Sequence, residues 1–343
     1  LHSARDMTKY KQACKVSKQW FFQFAFSFTI SSLIIKGLYL FTAVDTRTSR
    51  NVTWSPERYH GNRAYHFAPK KNGTIADVLA SKVKILCLIF THKENHLRLA
   101  VHVNVTWAQR CTKHVFISES PEKTLPMVKV DVLSGRDYLW NKTKESFKWA
   151  HRTQLNKFDW FFKADDDTFT IMENMKYTLS FYNSTEPWYF GCHFSPFSER
   201  GYMSGGAGYV LSKGSLKLLV EKGLSNGTIC PHGESGSEDV NMGICMSNLG
   251  VNYGDSRDEF SRWRYFPAEF KLFIIDDKNL LPEWLWDYMY YNVTQGVNCC
   301  SDTAVSIHYI DPYTQHFFNY ILYYFKVSGR SHYDPGLPAS VFI

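Results

Sequence analysis

The stretch Trp160-Phe161-Phe162-Lys163-Ala164-Asp165-Asp166-Asp167-Thr168-Phe169 runs three large apolar residues toward three consecutive carboxylates. An apolar run bounded by a polar break predicts a buried strand. In open α/β sheets ligands sit outside the carboxyl ends of the strands, where this acidic cluster would lie. In extended backbone alternate residues share a face, which predicts Asp165 and Asp167 closing on one cation. Asp166 then points elsewhere, toward a ligand hydroxyl. Three adjacent negative charges repel, and a divalent ion with a phosphate-bearing ligand would relieve that. The plain alternative is an acidic loop capping the next helix. A calcium loop of the EF-hand kind does not fit, because Phe169, Thr170 and Lys176 stand where a ligand, a Gly and a Glu are needed.

With 343 residues the chain can hold one large domain with appendages, or two ordinary ones. Hydrophobic residues at 44% and aromatics at 17% supply ample core, which excludes general disorder. The net charge of +7 is concentrated at the start, where residues 1–50 hold eight Lys/Arg against Asp6 and Asp45. The rest is close to neutral, so no electrostatic footprint for nucleic acid is expected.

Residues 20–44, from Trp20 to Val44, predict a single-pass transmembrane signal-anchor helix, interrupted by Lys36. Five cations precede it, against Arg47, Arg50 and Arg58 after it, so residues 1–19 are expected to be a cytoplasmic tail. A cleaved signal peptide is the rival, but the apolar run is long and no small-x-small site follows. Residues 45–82 are polar, carry Pro56 and Pro69, and read as a stem. Asn51, Asn72, Asn104, Asn141, Asn183, Asn226 and Asn292 each begin an Asn-x-Thr sequon, all after the span. A body in the secretory lumen also permits disulfides among Cys87, Cys111, Cys192, Cys230, Cys245, Cys299 and Cys300. Seven is odd, so at least one stays free or pairs with another chain. Adjacent Cys299 and Cys300 are expected to take different partners, because a vicinal ring is strained.

From residue 83 to 330 strands and helices alternate, which predicts a doubly wound sheet with right-handed crossovers. Val83 to Phe90 is the first core strand. Residues 94–109 carry Leu97, Val101, Val105 and Ala108 at helical spacing. His92 and His96 stand four apart beside Glu94, but the Glu of a zinc-protease helix directly follows its first His, so these read as solvated. Lys113 to Ser118 and Val128 to Leu133 are further strands, and Gly135-Arg136-Asp137 opens a helix with Phe147 and Ala150. A topological switch point next to the first strand would form a nucleotide crevice. After a helix near 171–182 and a strand at 188–191, Gly201 to Ser212 contains Gly205-Gly206-Ala207-Gly208, neither a P-loop nor a dinucleotide fingerprint. Small residues there allow a close approach to a ligand, or simply a tight turn. Glu238 and Asp239 open a helix ending before Gly250. Capping explains them, and a general base would too if one faced the crevice. Trp284, Trp286, Tyr288, Tyr290 and Tyr291 are core or dimer surface by default, though aromatic faces also suit sugar rings. His308 is by default a satisfied core residue.

These segments, in this order, resemble glycosyltransferase family 31, in the branch of core 1 β1,3-galactosyltransferases. The resemblance spans roughly residues 83–325. It rests on the first strand ending at Thr91, Thr106-Trp107-Ala108-Gln109-Arg110-Cys111, Trp160 to Thr168, Gly201 to Ser212, Glu238-Asp239, Gly254 to Asp258, Cys299-Cys300-Ser301-Asp302 and Ser306 to Tyr309. It implies a GT-A fold (Rossmann-like, nucleotide-diphospho-sugar transferase) followed by a short tail at 331–343. It also implies Asp165, Asp167 and His308 as Mn²⁺ ligands and Asp239 as catalytic base. Thr91, Asp166, Gly205, Gly206 and Glu238 would hold the donor, UDP-galactose. Trp284 and Tyr309 would receive GalNAc on Ser or Thr of a glycoprotein acceptor. A homodimer in the Golgi membrane, type II with a lumenal catalytic domain, is implied in the same way. The competing expectations are a non-catalytic chaperone-like relative and a β1,3-transferase using another UDP-sugar. At Cys192 the chain departs from the family, which carries a basic residue nearby, and an extra thiol at a surface contact is expected.

Overall fold

The computed structural model describes residues 74–328. The tail at 1–19, the span at 20–44, most of the stem and the tail at 331–343 lie outside the described residues. Among the described residues no helix is long and apolar enough to cross a membrane. The strands are β1 (Ile85–Phe90), β2 (Lys113–Ser118), β3 (Met127–Lys129), β4 (Trp160–Asp165), β5 (Phe169–Thr170) and β6 (Trp188–Gly191). They continue with β7 (His193–Phe194), β8 (Tyr202–Met203), β9 (Tyr209–Ser212), β10 (Asn252–Tyr253), β11 (Tyr265–Phe266) and β12 (Ser306–Ile307). The main helices are α1 (Ile75–Lys82), α2 (Leu139–Gln154), α3 (Met172–Leu179), α4 (Lys213–Leu218), α5 (Glu238–Asn248), α6 (Glu283–Tyr288) and α7 (Pro312–Tyr323).

Seven strands form one mixed sheet in the order β10-β6-β9-β4-β1-β2-β3. Every residue of β1 is buried, as is Trp160 through Ala164 of β4, so helices cover both faces and the strands read as apolar runs, interrupted in β4 by Lys163. β1 pairs in parallel with β2 on one side and β4 on the other. The direction of winding therefore reverses between β1 and β4, and the last paired residues at that switch point are Phe90 and Asp165. β9 runs against both β4 and β6, which simple alternation did not announce.

A second sheet orders β11-β12-β5, with β12 antiparallel to β5 through Ser306–Thr170 and Ile307–Phe169. This short pairing carries the far end of the chain back to the acidic turn. β7 and β8 form a separate hairpin pairing His193 with Met203 and Phe194 with Tyr202.

Several expectations are corrected. The end of the stem reading is ordered: Thr74 and Asp77 make a reciprocal capping box for α1, which packs on α3. The helix expected over 94–109 is one helical stretch of changing pitch, Lys93–Asn95, His96–Ala100 and Val101–Asn104, broken at residues 105–106 before a last turn at Trp107–Arg110. Leu97 and Val105 are consequently exposed, while His96, Ala100 and Trp107 face the core. His96 is thus not solvated, and its Nε2 meets Ser118 Oγ at 2.8 Å.

Cys87 bonds Cys111, tying β1 to the turn before β2, and Cys230 bonds Cys245 on α5. Cys299 and Cys300 pair with each other, against expectation. The physical reason is access: the other two bridges use up four of the remaining sulfurs, and Cys192 is fully buried with Sγ 3.7 Å from Met289 Sδ. Cys192 is therefore a core thiol rather than a surface contact, and burial pushes its pKa up.

Candidate active site

The three aspartates do not continue the strand. β4 ends at Asp165, and Asp166 and Asp167 lie in a turn. Thr168 ties that turn, its N–H donating to the Asp165 carbonyl at 3.2 Å and its Oγ1 accepting from the Asp165 N–H at 3.3 Å. Asp165 and Asp167 converge because the chain turns, not because alternate strand residues share a face.

His308 arrives from the second sheet, one residue past β12. Ligand atoms of Asp165, Asp167 and His308 all lie within 4.8 Å of one another. The Ile310 N–H donates to the Asp167 carbonyl at 2.8 Å, locking that register. His308 Nδ1 lies 3.3 Å from the Pro267 carbonyl, which turns Nε2 toward the carboxylates. Nε2 sits 3.3 Å from Asp167 Oδ1. Burial would raise the Asp167 carboxyl, but the neighbouring His308 holds it below the ordinary aspartate value. Two carboxylates and one imidazole suit a divalent cation of the Mn²⁺ or Zn²⁺ type. Gly206 makes room for them: a Cβ there would stand 2.0 Å from the His308 ring.

Lys163 lies beneath this cluster, almost fully buried. Its Nζ donates to Asp165 Oδ1 at 2.7 Å and to the Gly205 carbonyl at 3.1 Å, and stands 3.7 Å from Glu238 Oε2. Burial works against its charge, but Asp165 and Glu238 more than offset that and hold the ammonium above its ordinary pKa. Other carbonyls of the glycine loop are pinned as well, Gly206 by Thr168 Oγ1 and Ala207 by Ser306 Oγ.

Glu238 and Asp239 occupy the first turn of α5, where the helix dipole favours carboxylates. They face differently. Glu238 is buried, with Oε1 accepting from Tyr209 OH at 2.6 Å and Thr143 Oγ1 at 3.0 Å. Burial raises its carboxyl despite Lys163. Asp239 is half-buried, and its Oδ2 accepts the Gly205 N–H at 3.0 Å.

On the other side of the switch point, Asp166 is buried with Oδ1 accepting from Asn95 Nδ2 at 3.3 Å. Desolvation, reinforced by Asp165 and Asp167, pushes its pKa up to about 6. The Thr91 side chain, at the end of β1, also acts on this carboxylate, but neither buried atom, Thr91 Oγ1 or Asp166 Oδ2, has a well-aligned hydrogen-bond partner. Such atoms are costly unless a ligand meets them. Tyr309 stacks on His308 with ring centroids 3.8 Å apart, is 56% exposed, and has φ 58 in the left-handed region. Trp284, on α6, is 43% exposed and packs edge-on against Tyr288.

A Fringe-like family profile matches residues 81–261. The chain is 40% identical over 277 residues to the Xenopus laevis protein named glycoprotein-N-acetylgalactosamine 3-beta-galactosyltransferase 1, covering 79% of this chain and 75% of that one. The chain belongs to the Fringe-like glycosyltransferases. It is also 26% identical over 180 residues to a Mus musculus beta-1,3-glucosyltransferase, covering 52% of this chain and 36% of the other. With Homo sapiens chondroitin sulfate synthase 3 it shares 29% identity over 170 residues, covering 42% and 18%. For a Fringe-like glycosyltransferase, the mixed α/β sheet with an acidic turn at its switch point is a GT-A-like arrangement.

Sequence reasoning overlooked Lys163, Asn95, Thr143 and Tyr209 in this Fringe-like site. Lys163 did carry a signal: a lysine inside an apolar strand is almost never fully buried unless paired. Asn95, Thr143 and Tyr209 carried none, since their partners come from elements 71, 95 and 29 residues away.

Proposed function

We propose that this chain transfers galactose from UDP-galactose to the 3-hydroxyl of GalNAc on Ser or Thr of glycoproteins, with inversion. The observation that carries this reading is the convergence of Asp165, Asp167 and His308 beside Asp239, with the Gly205 peptide between them. The name and 40% identity of the Xenopus laevis relative support the donor and acceptor. Asp165, Asp167 and His308 would hold Mn²⁺. When bound, that ion supplies positive charge to the diphosphate of the leaving group.

Asp239 acts as the base. Its Oδ2 is fixed by the Gly205 N–H and its Oδ1 accepts the Val240 N–H at 2.9 Å, so the carboxylate is oriented in advance. It takes the proton from the acceptor hydroxyl as that oxygen bonds to C1 of galactose, and the C1–oxygen bond to UDP breaks. Thr91 Oγ1 and Asp166 Oδ2 are suited to hydroxyls of the donor nucleotide, which would satisfy both atoms. Gly205 and Gly206 let the donor approach the backbone. Glu238 supports the donor side from beneath, through Lys163. Trp284 and Tyr309 offer exposed aromatic faces to the acceptor sugar.

The same reading places the chain in the Golgi membrane as a type II protein, anchored by residues 20–44 with its body lumenal, and as a homodimer. A chaperone-like relative would not require the acidic turn, and a different UDP-sugar would need only one hydroxyl contact changed. A donor screen on the full chain with a GalNAc-Thr peptide, with and without Mn²⁺, tests these together. Metal-dependent transfer from UDP-galactose alone, giving a β1,3 linkage, is expected. Preferential use of UDP-glucose or UDP-GlcNAc, or no turnover with any donor, would overturn the reading.

A further inference from the structure

Phe197 is 63% exposed yet held at φ 66, a conformation that a bulky side chain rarely adopts. Among the described residues only Phe197, Ser261 and Tyr309 combine a side chain with positive φ. Tyr309 borders the cation cluster. Strained backbone of this kind persists where surrounding structure imposes it, and it gathers at ligand-binding positions.

The surroundings of Phe197 are specific. The Ser195 N–H donates to the Tyr288 carbonyl at 2.7 Å, and the Gly201 N–H to the Ser198 carbonyl at 3.0 Å, so the turn is fastened to α6. The Phe197 ring meets Tyr288 edge-on at 5.4 Å, and Tyr288 meets Trp284 at 5.3 Å. The three rings thus make one partly exposed aromatic rim.

Buried rings connect that rim to the helix that carries the base. Phe194, which touches both Trp284 and Tyr288, pairs across the β7–β8 hairpin with Tyr202. Tyr202 lies against α5 at Gly243, where an added Cβ would come 2.4 Å from the Tyr202 Cβ. Asp239 is one helical turn away on α5, about 6 Å along the axis.

We propose that Phe197, with Tyr288, is the surface on which the polypeptide of the acceptor lies while its sugar faces Asp239 and the neighbouring Trp284. The inference rests on the galactosyltransferase reading. A sugar attached directly to Ser or Thr keeps the polypeptide within one ring's length of the base, so the chain must cross the surface beside it. Flat peptide groups and apolar side chains fit aromatic faces at little conformational cost.

Transfer by the full chain is measured with two acceptors, a GalNAc-Thr nonapeptide and methyl α-N-acetylgalactosaminide, for wild type, Phe197→Ala and Phe197→Tyr. Phe197→Ala is expected to lower kcat/KM for the glycopeptide about tenfold more than for the methyl glycoside, mainly through KM. Phe197→Tyr keeps the aromatic face and is expected to restore the wild-type ratio. An Ala variant that shifts both acceptors equally, or neither, overturns the assignment while leaving the transferase reading intact. Wild type that transfers to neither acceptor overturns both.

Discussion

The backbone N–H of Gly205 donates to Asp239 Oδ2 at 3.0 Å, while the carbonyl of the same glycine accepts from Lys163 Nζ at 3.1 Å. Lys163 in turn holds Asp165. One residue therefore links the proposed base to the cation cluster, so the two halves of the site share a frame without sharing a side chain.

This arrangement separates chemistry from binding. Asp239→Asn keeps an oxygen for the Gly205 N–H but loses the basic carboxylate. Turnover is expected to fall by about 10²–10⁴, the range supplied by a positioned acid or base. UDP and Mn²⁺ binding, followed by calorimetry, should stay near wild type. Turnover within a few-fold of wild type would remove Asp239 from its role.

Lys163 is 4% exposed in its side chain and lies between Asp165 and Glu238. Lys163→Met leaves those carboxylates without their cation. Removing one partner of a buried ionic group costs about 3–5 kcal/mol, and a loss of that order is expected in urea denaturation. Adding Glu238→Gln should recover part of it, because the second substitution removes one of the stranded charges. Strict additivity in the cycle would show that the two groups are not coupled.

Most of the sheet was legible because parallel strands buried on both faces must read as apolar runs, and Ile85–Phe90 does so throughout, Trp160–Ala164 with the one interruption of Lys163. The acidic triplet also marked its own position, since carboxylates after such a run have to sit at a strand end. How they converge was not legible. The turn at Asp166–Asp167 depends on Thr168, and the approach of His308 depends on the pairing of residues 306–307 with 169–170, a contact of long sequence separation. Local spacing carries no record of such pairings. The vicinal Cys299–Cys300 bond was missed for the same reason, because pairing depends on where the other sulfurs end up.

Gly206 tests whether the His308 position matters for metal. A Cβ at Gly206 would overlap the ring at 2.0–2.5 Å, so Gly206→Ala must push His308 away from Asp165 and Asp167. Mn²⁺ affinity, read by electron paramagnetic resonance, is expected to weaken about 10–100-fold, as when an orienting partner of a metal ligand is lost. Gly205→Ala meets Glu238 Oε2 at 3.0 Å rather than the imidazole and should disturb Mn²⁺ binding less. Equal affinities for wild type and Gly206→Ala would argue against His308 as a ligand.

Acidification should weaken the fold through its buried imidazoles. Desolvation lowers the pKa of His96, His102, His114, His193 and His316, and His102, beside His316, is lowered from 6.5 to about 4. His102 stays neutral in the folded chain down to about 4 but takes up a proton near 6.5 once unfolded, and the other four rings are shifted in the same direction. Between those values the unfolded state binds more protons, so the contribution is full above pH 6.5 and is lost as pH falls toward 4. The urea midpoint is expected to drop steadily from pH 7 to pH 5. His102→Gln, which removes one of the titrating rings, should flatten that slope. Because Asp166, raised to about 6, works in the opposite sense over the same interval, the comparison of the two proteins decides: equal slopes for wild type and His102→Gln would show that the folded chain does not hold His102 neutral.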